Sequence, residues 1–112
     1  MAIPWSSEQR RAVDAVLQRH PRDSGRCDEA AQAILPIAKQ CDGNARILRI
    51  RPKGRARFVE PKLKPTMPWY EHHTTEVAVH CVDSLTGPDG TNVNAYLDTH
   101  WEHTDWLDVQ AL

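Results

Sequence analysis

The 112-residue chain carries 14 lysines and arginines against 15 aspartates and glutamates, so its formal net charge at pH 7 is −1. A balance this close to neutral creates no overall field that would attract nucleic acid or an anionic membrane, and we expect neither as a partner. No stretch approaches the roughly 18 apolar residues of a membrane span. The length suits a single domain over residues 1–112, with an N-terminal helix and loop over 1–24 and a core over 25–112.

Two amphipathic helices are predicted in the first 40 residues. Ser6 is a suitable N-cap, and Gln9 completes a capping box three residues later, so we expect the first helix over 7–19. A proline ends this helix, and a polar loop leads to a second helix over 26–40. The second helix therefore begins beside Cys27.

Cys27 is the candidate nucleophile of the chain. A thiol at a helix N-terminus lies among backbone N–H groups that have no partner within the helix, at the positive end of the helix dipole. Such sites lower a cysteine pKa from about 8.5 into the range of roughly 3.5–7.5. Cys41 and Cys81 have no comparable position, and an odd number of cysteines without C-x-x-C spacing favours reduced, structural thiols.

The middle of the chain is basic and rich in strand-forming residues. Residues 46–62 contain seven basic residues and one acid, and the pattern predicts a hairpin over 47–59. The basic residues indicate either a face for an acidic partner or substrate, or a sheet edge that is protected by charge.

Strand and helix signals also occur in the second half of the chain. A proline-rich loop over 61–69 precedes a strand-like run over 74–82, which ends in a turn-rich loop over 83–90. Apolar residues at helical spacing predict a helix over 93–101, and residues 104–109 fit either a last helical turn or a strand.

Thiol chemistry on acyl groups requires three partners besides the substrate. A base takes the thiol proton, a carboxylate orients the imidazole, and backbone N–H groups near the cysteine hold the developing oxyanion. The chain offers Cys27 at a helix start, the doublet His72-His73 before a strand and Asp83 after it. The oxyanion donors would be the Cys27 N–H and a second group such as Ser24.

Three segments together resemble the papain-fold toxin domains of bacterial polymorphic toxins, which are reduced relatives of papain-like cysteine peptidases. They are the glycine-x-cysteine helix start at 25–27, the histidine doublet, and the aspartate with a loop ending in Pro-x-Gly over 83–90. The resemblance covers 25–101. It implies an α+β, minimal papain-like fold, in which the N-terminal helices pack on a small antiparallel sheet and residues 25–112 form the catalytic core.

Carried over by position, the resemblance makes Cys27 the nucleophile, His73 the general base and Asp83 the orienting acid. His72 and His80 stay open as alternative bases. We expect no cofactor. A zinc site built from Cys27 and these histidines is disfavoured, because neighbouring residues of an extended chain point to opposite faces.

The spacing of His73 and Asp83 sets a condition on this triad. In one straight strand the two would lie about 33 Å apart at roughly 3.3 Å per residue. The chain must therefore double back within 76–79, although this segment has no Gly or Asn-Gly turn signal. If the strand is straight, Asp98, Asp89 or Asn94 must replace Asp83.

The sequence thus predicts a cysteine hydrolase that acts on protein, by peptide-bond cleavage or by glutamine deamidation through a thioester. The resemblance implies a bacterial effector with an immunity protein as partner. Because the N-terminus lacks the basic and apolar regions of an export signal, we expect a cytoplasmic protein, or one delivered into a target cell as part of a larger secreted protein. The alternative function is a non-enzymatic protein-binding module that retains the fold.

Overall fold

A five-stranded antiparallel sheet forms the centre of the computed structural model, which describes residues 2–112. The spatial order of the strands is β4-β3-β2-β1-β5. In chain order they are β1 (Arg46–Pro52), β2 (His72–Val77), β3 (His80–Val82), β4 (Thr91–Asn92) and β5 (Leu107–Ala111).

Three α-helices accompany the sheet, namely α1 (Ser7–Arg19), α2 (Cys27–Cys41) and α3 (Val93–His100). All three predicted helices are confirmed to within one residue at each end. The predicted capping box of α1 is present, because the Gln9 backbone N–H donates to the Ser6 hydroxyl and the Ser6 N–H donates to the Gln9 side chain. Within the described residues, no helix has both the length and the apolar content needed to cross a membrane.

Apolar clusters on two sides of the sheet hold the helices in place. In the first, α1 and α2 contribute Val13 and Ile34, which pack with Val77 and Val82 of the sheet. The second cluster includes residues of β1, β3, β5 and α3 with Trp101, which is 1% exposed. This is the predicted α+β class, with the N-terminal helices packed on an antiparallel sheet.

The predicted hairpin over 47–59 is wrong. Strand β1 pairs with β2 on one side and with β5 on the other, so neither edge remains for the segment that follows it. That segment crosses the molecule as an irregular loop, which is held by isolated bridges from Val59 to Trp69 and from Pro61 to Trp101. Residues 104–109 combine both alternatives, a short 3₁₀ turn at Thr104–Trp106 and then β5.

The chain doubles back between β2 and β3, as the proposed triad requires. Val77 pairs with His80, and the two residues between them, Ala78 and Val79, have φ values of 47° and 58°. Positive φ at both central residues is the requirement of a type I′ hairpin turn, for which Asn-Gly is the usual sequence. The turn is held from outside, because the Asp42 carboxylate accepts a hydrogen bond from the Ala78 N–H at 2.9 Å.

A glycine at position 79 should stabilise the protein. A non-glycine residue in the left-handed region costs roughly 1–2 kcal/mol, and Val79 loses little packing because it is 58% exposed. After the entropy cost of glycine in the unfolded chain, we expect Val79→Gly to raise the free energy of unfolding by about 0.5–1 kcal/mol, measured by urea denaturation. The matched variant Val109→Gly, in β5, should lower it. Equal destabilisation by both substitutions would contradict the assignment of strain to the turn.

Candidate active site

The first turn of α2 lies at a cleft of about 330 Å³ whose walls include Cys27, His72 and Asp83. Cys27 is the first residue of α2 and is half-buried. The first hydrogen bond within this helix runs from the Ala30 N–H to the Arg26 carbonyl at 3.0 Å. Arg26 is the N-cap residue, and its side chain makes no capping hydrogen bond. The N–H groups of the preceding turn therefore have no acceptor in the helix and are available to an anion beside the thiol.

His72, the first residue of β2, is fully buried between the nucleophile and the carboxylate. Its Nε2 lies 3.1 Å from Asp83 Oδ2. Its Nδ1 makes no hydrogen bond within the described residues and is therefore available to the Cys27 thiol, with which the ring interacts. The Trp69 ring stacks on the imidazole with 5.1 Å between centroids and 3° between planes. Trp101 flanks the same ring at 5.3 Å. Aromatic side chains thus fix the plane of the imidazole.

The Asp83 carboxylate is 4% exposed and accepts four hydrogen bonds. Its partners are His72 Nε2 at 3.1 Å, the Tyr96 hydroxyl at 2.5 Å, the Leu85 N–H at 2.8 Å and the Thr86 N–H at 3.2 Å. Burial alone would raise the pKa of Asp83, but hydrogen bonding to His72 and the charge of His72, with the Tyr96 hydroxyl, lower it to about 2. The carboxylate therefore stays ionised at every pH at which the protein would act.

Cys27 and His72 shift one another's ionisation toward a charged pair. Burial raises the pKa of the Cys27 thiol, but its interaction with the His72 ring and the charge of that ring, with the His73 backbone N–H, outweigh burial and bring the pKa below its ordinary value. Burial lowers the pKa of His72, but the hydrogen bond to Asp83, the interaction with Cys27 and the charges of both partners raise it to about 9. Between these two pKa values the site holds a thiolate and an imidazolium.

The structure places His72, and not His73, between Cys27 and Asp83. Adjacent residues of a strand point to opposite faces. The His73 Nε2 lies 2.8 Å from a Glu71 carboxylate oxygen, and only the His73 backbone N–H lies at the thiol. The predicted base therefore contributes its backbone, and its neighbour contributes the imidazole.

The other candidates lie away from this arrangement or have other partners. The His80 Nδ1 lies 2.7 Å from the Ala78 carbonyl in the β2–β3 turn. Asp89 forms a surface ion pair with Arg10, and Asp98 and Asn94 are exposed on α3. The Ser24 hydroxyl accepts a hydrogen bond from the Arg26 N–H at 3.2 Å, so it helps shape the loop that precedes Cys27.

The two remaining cysteines differ from Cys27 in ionisation. Burial raises the pKa of Cys41, whose Sγ lies 3.1 Å from the Gln9 side-chain oxygen. Burial and the nearby Asp83 charge raise the pKa of Cys81 to about 12. Among residues 2–112, no three His, Cys, Asp or Glu side chains are grouped so as to hold a metal ion.

The sequence did not predict the contacts that three aromatic residues make in the site. Tyr96 is an apolar-face residue of α3 by its spacing, and Trp69 and Trp101 lie in segments without a motif. Their role depends on contacts between distant segments, since Tyr96 reaches Asp83 from 13 residues away. No spacing rule in the sequence indicates such contacts.

Comparison with known proteins found no family model, no curated protein and no solved structure that matches this chain.

Cys27 should be the reactive thiol of the three. With its pKa lowered, Cys27 should react with iodoacetamide at about pH 6–7 well before Cys41 and Cys81, whose pKa values are raised. Mass spectrometry of peptides after timed alkylation measures the three rates. His72→Ala should abolish the preference, since burial alone raises the thiol pKa. An equal rate for Cys27 and Cys41 at about pH 6 would contradict the thiolate assignment.

Tyr96 should moderate the effect of Asp83 on His72, because both donate to the same oxygen, Oδ2. In Tyr96→Phe that oxygen serves His72 alone, so we expect the pKa of His72 to rise above about 9, as measured by NMR titration of the imidazole. The titratable groups that interact with His72 are Asp83 and Cys27, and those that interact with Asp83 include Cys81 and His100. All of these groups remain in the variant.

Thr75→Val is the control for Tyr96→Phe, because it also removes a buried hydroxyl, one that donates to Ala31 rather than to Asp83. It should lower stability by about 1 kcal/mol and leave the pKa of His72 unchanged. A fall in the pKa of His72 in Tyr96→Phe, or an equal shift in Thr75→Val, would contradict the role given to the Tyr96 hydroxyl.

Proposed function

We propose that this chain is a cysteine hydrolase that cleaves amide bonds of proteins through a thioester on Cys27, with His72 as acid and base and Asp83 as the orienting carboxylate. The observation that carries the proposal is the position of His72, whose ring lines the same cleft as Cys27 with Nδ1 unpartnered, and whose Nε2 lies 3.1 Å from Asp83, to which Tyr96 also donates. A structural cysteine needs none of these partners, whereas nucleophilic catalysis needs a base that a third group orients.

In the first half of the reaction the Cys27 thiolate attacks the carbonyl carbon of the amide. The carbonyl π electrons move to oxygen, and the resulting oxyanion lies beside the free backbone N–H groups at the start of α2. The imidazolium of His72 gives its Nδ1 proton to the departing nitrogen as the C–N bond breaks. The products of this step are a Cys27 thioester and a free amine, or ammonia when a glutamine side chain is the substrate.

In the second half a water molecule replaces the leaving group. Neutral His72 takes a proton from the water as its oxygen attacks the thioester carbon, and collapse of the oxyanion expels the Cys27 thiolate. The carboxylic acid leaves, and His72 is again the imidazolium beside a thiolate. Throughout the cycle Asp83 holds the Nε2 proton, which keeps Nδ1 directed at the reacting atoms.

The chemistry is the same for peptide-bond cleavage and for glutamine deamidation, so the proposal covers both. The likeness of three sequence segments to papain-fold toxin domains supports an effector role, with a protein substrate in the target cell and an immunity protein that restrains the enzyme. The fold class agrees with that likeness, since the N-terminal helices pack on an antiparallel sheet.

A small activated ester tests the proposed chemistry without knowledge of the protein substrate. With p-nitrophenyl acetate the wild-type chain should form an acetyl adduct on Cys27, visible by intact mass, and release it with continued turnover. His72→Gln should slow formation of the adduct, because the thiol loses the partner that lowers its pKa, and should slow turnover by about 10²–10⁴-fold, as expected for loss of a general base. Cys27→Ala should form no adduct, and His103→Gln, at an exposed histidine, is the matched control.

Two results would contradict this proposal. The first is an adduct that forms on all three cysteines at similar rates, because Cys27 would then be an ordinary thiol. The second is loss of turnover in His73→Gln while His72→Gln turns over normally, because the base would then be His73.

A further inference from the structure

The loop between β1 and β2, residues 53–71, carries cations that the fold leaves uncompensated; we call it the basic loop. It holds five basic residues, Lys53, Arg55, Arg57, Lys62 and Lys64, against the acids Glu60 and Glu71. Neither acid neutralises them: Glu60 lies near His103, and Glu71 near Arg51 and His73. In the part of the chain that the structure describes, none of the five cations lies within 4.0 Å of a carboxylate.

Protection of a sheet edge does not account for these cations. That explanation requires them to lie on an exposed edge strand, where charge prevents pairing with another chain. The basic loop is not a strand of the sheet, because β2 and β5 occupy both sides of β1. Edge protection therefore leaves these cations unexplained.

The basic loop borders a groove that adjoins the catalytic cleft. The groove has a volume of about 310 Å³, and its lining includes Phe58, Lys64, Met67 and Glu60, whose carboxylate lies 3.5 Å from His103 Nε2. It shares Pro68 and Trp69 with the cleft. Since Trp69 stacks on His72, a chain bound at the thiol and passing over Trp69 would enter this groove.

Large apolar side chains accompany the cations along the basic loop. Met67 is 71% exposed, Tyr70 68% and Leu63 51%, and they are three of the seven large apolar residues exposed among the described residues. Tyr70 packs against Phe58 with 5.2 Å between ring centroids and 54° between ring planes. Exposed apolar side chains grouped with cations beside an active-site cleft are typical of a surface that binds a polypeptide.

We propose that the basic loop binds an acidic, apolar-containing segment of the polypeptide substrate, next to the amide held at Cys27. This inference rests on the proposed hydrolase function and names the substrate class for it. Met67, which lines the groove, and Leu63, which precedes Lys64, would contact apolar side chains of the segment. Lys64, in the lining, and Arg57, which precedes Phe58, would pair with its carboxylates. A nucleic acid is disfavoured as the occupant, because the chain as a whole has a net charge of −1.

Fluorescence anisotropy with short labelled peptides tests the proposal. The probes are a glutamate-leucine peptide, a lysine-leucine peptide of the same length and an oligouridine RNA. The wild-type chain should bind the glutamate-leucine peptide best, and more weakly as salt screens the charges. The double variant Arg57→Glu/Lys64→Glu should lose about tenfold or more in affinity. The matched variant Arg11→Glu/Lys39→Glu changes the net charge equally at exposed sites on α1 and α2 and should bind as the wild type does.

Three outcomes would overturn the assignment of the basic loop: equal affinity for the acidic and basic peptides, equal loss of affinity in both double variants, or preferential binding of the RNA. Acylation of Cys27 by p-nitrophenyl acetate is measured in the same samples, because so small an ester does not reach the groove. Normal acylation without selective peptide binding refutes the basic loop alone. Selective binding without acylation refutes the hydrolase and leaves the loop as a docking surface for acidic protein.

Discussion

The buried carboxylate of Asp83 is the interaction on which the rest of the site depends. An isolated carboxylate in the interior would be costly, and it is tolerated here because four donors surround it. Two of these donors belong to the loop after β3, one to β2 and one to α3. Asp83 thus joins three segments of the fold and at the same time fixes the charge state of His72.

The charge of Asp83 also links stability to pH through its partners. The pKa of His72 is raised from its unfolded value to about 9, so its contribution to stability is complete below about 6.5 and is lost as pH rises through about 9. The pKa of Asp83 is lowered to about 2, so its contribution is complete above about 4 and is lost as pH falls through about 2. The contributions of His72 and Asp83 are therefore both complete between about pH 4 and 6.5.

Local signals in the sequence predicted the elements that depend on local physics. The capping box at Ser6 and the apolar spacing of α1, α2 and α3 gave the three helices, and the position of Cys27 at a helix start followed from them. The sheet was harder to predict, because strand pairing depends on distant partners. The segment after β1 has strand-like composition, yet β5, from the other end of the chain, takes that edge.

The geometry of the triad required information that the sequence lacks. The turn at Ala78 and Val79 has no glycine, and it forms because the Asp42 carboxylate holds it from outside. That turn brings Asp83 back to the level of Thr74, two residues along β2 from His72 and therefore on the same face of the strand. Which histidine of the doublet faces the thiol depends on the strand register, because a shift of one residue exchanges the two faces. No pattern in the sequence indicates that register.

Ultraviolet absorbance of the thiolate, followed against pH, tests the central claim most directly. The difference between the wild-type chain and Cys27→Ala reports the ionisation of Cys27 alone. We predict that this absorbance appears at a lower pH than that of an ordinary thiol, whose pKa is about 8.5, and that it moves to a higher pH in His72→Ala. Absorbance that appears only above about pH 9, or that is unchanged in His72→Ala, would contradict the ion pair and with it the proposed nucleophile.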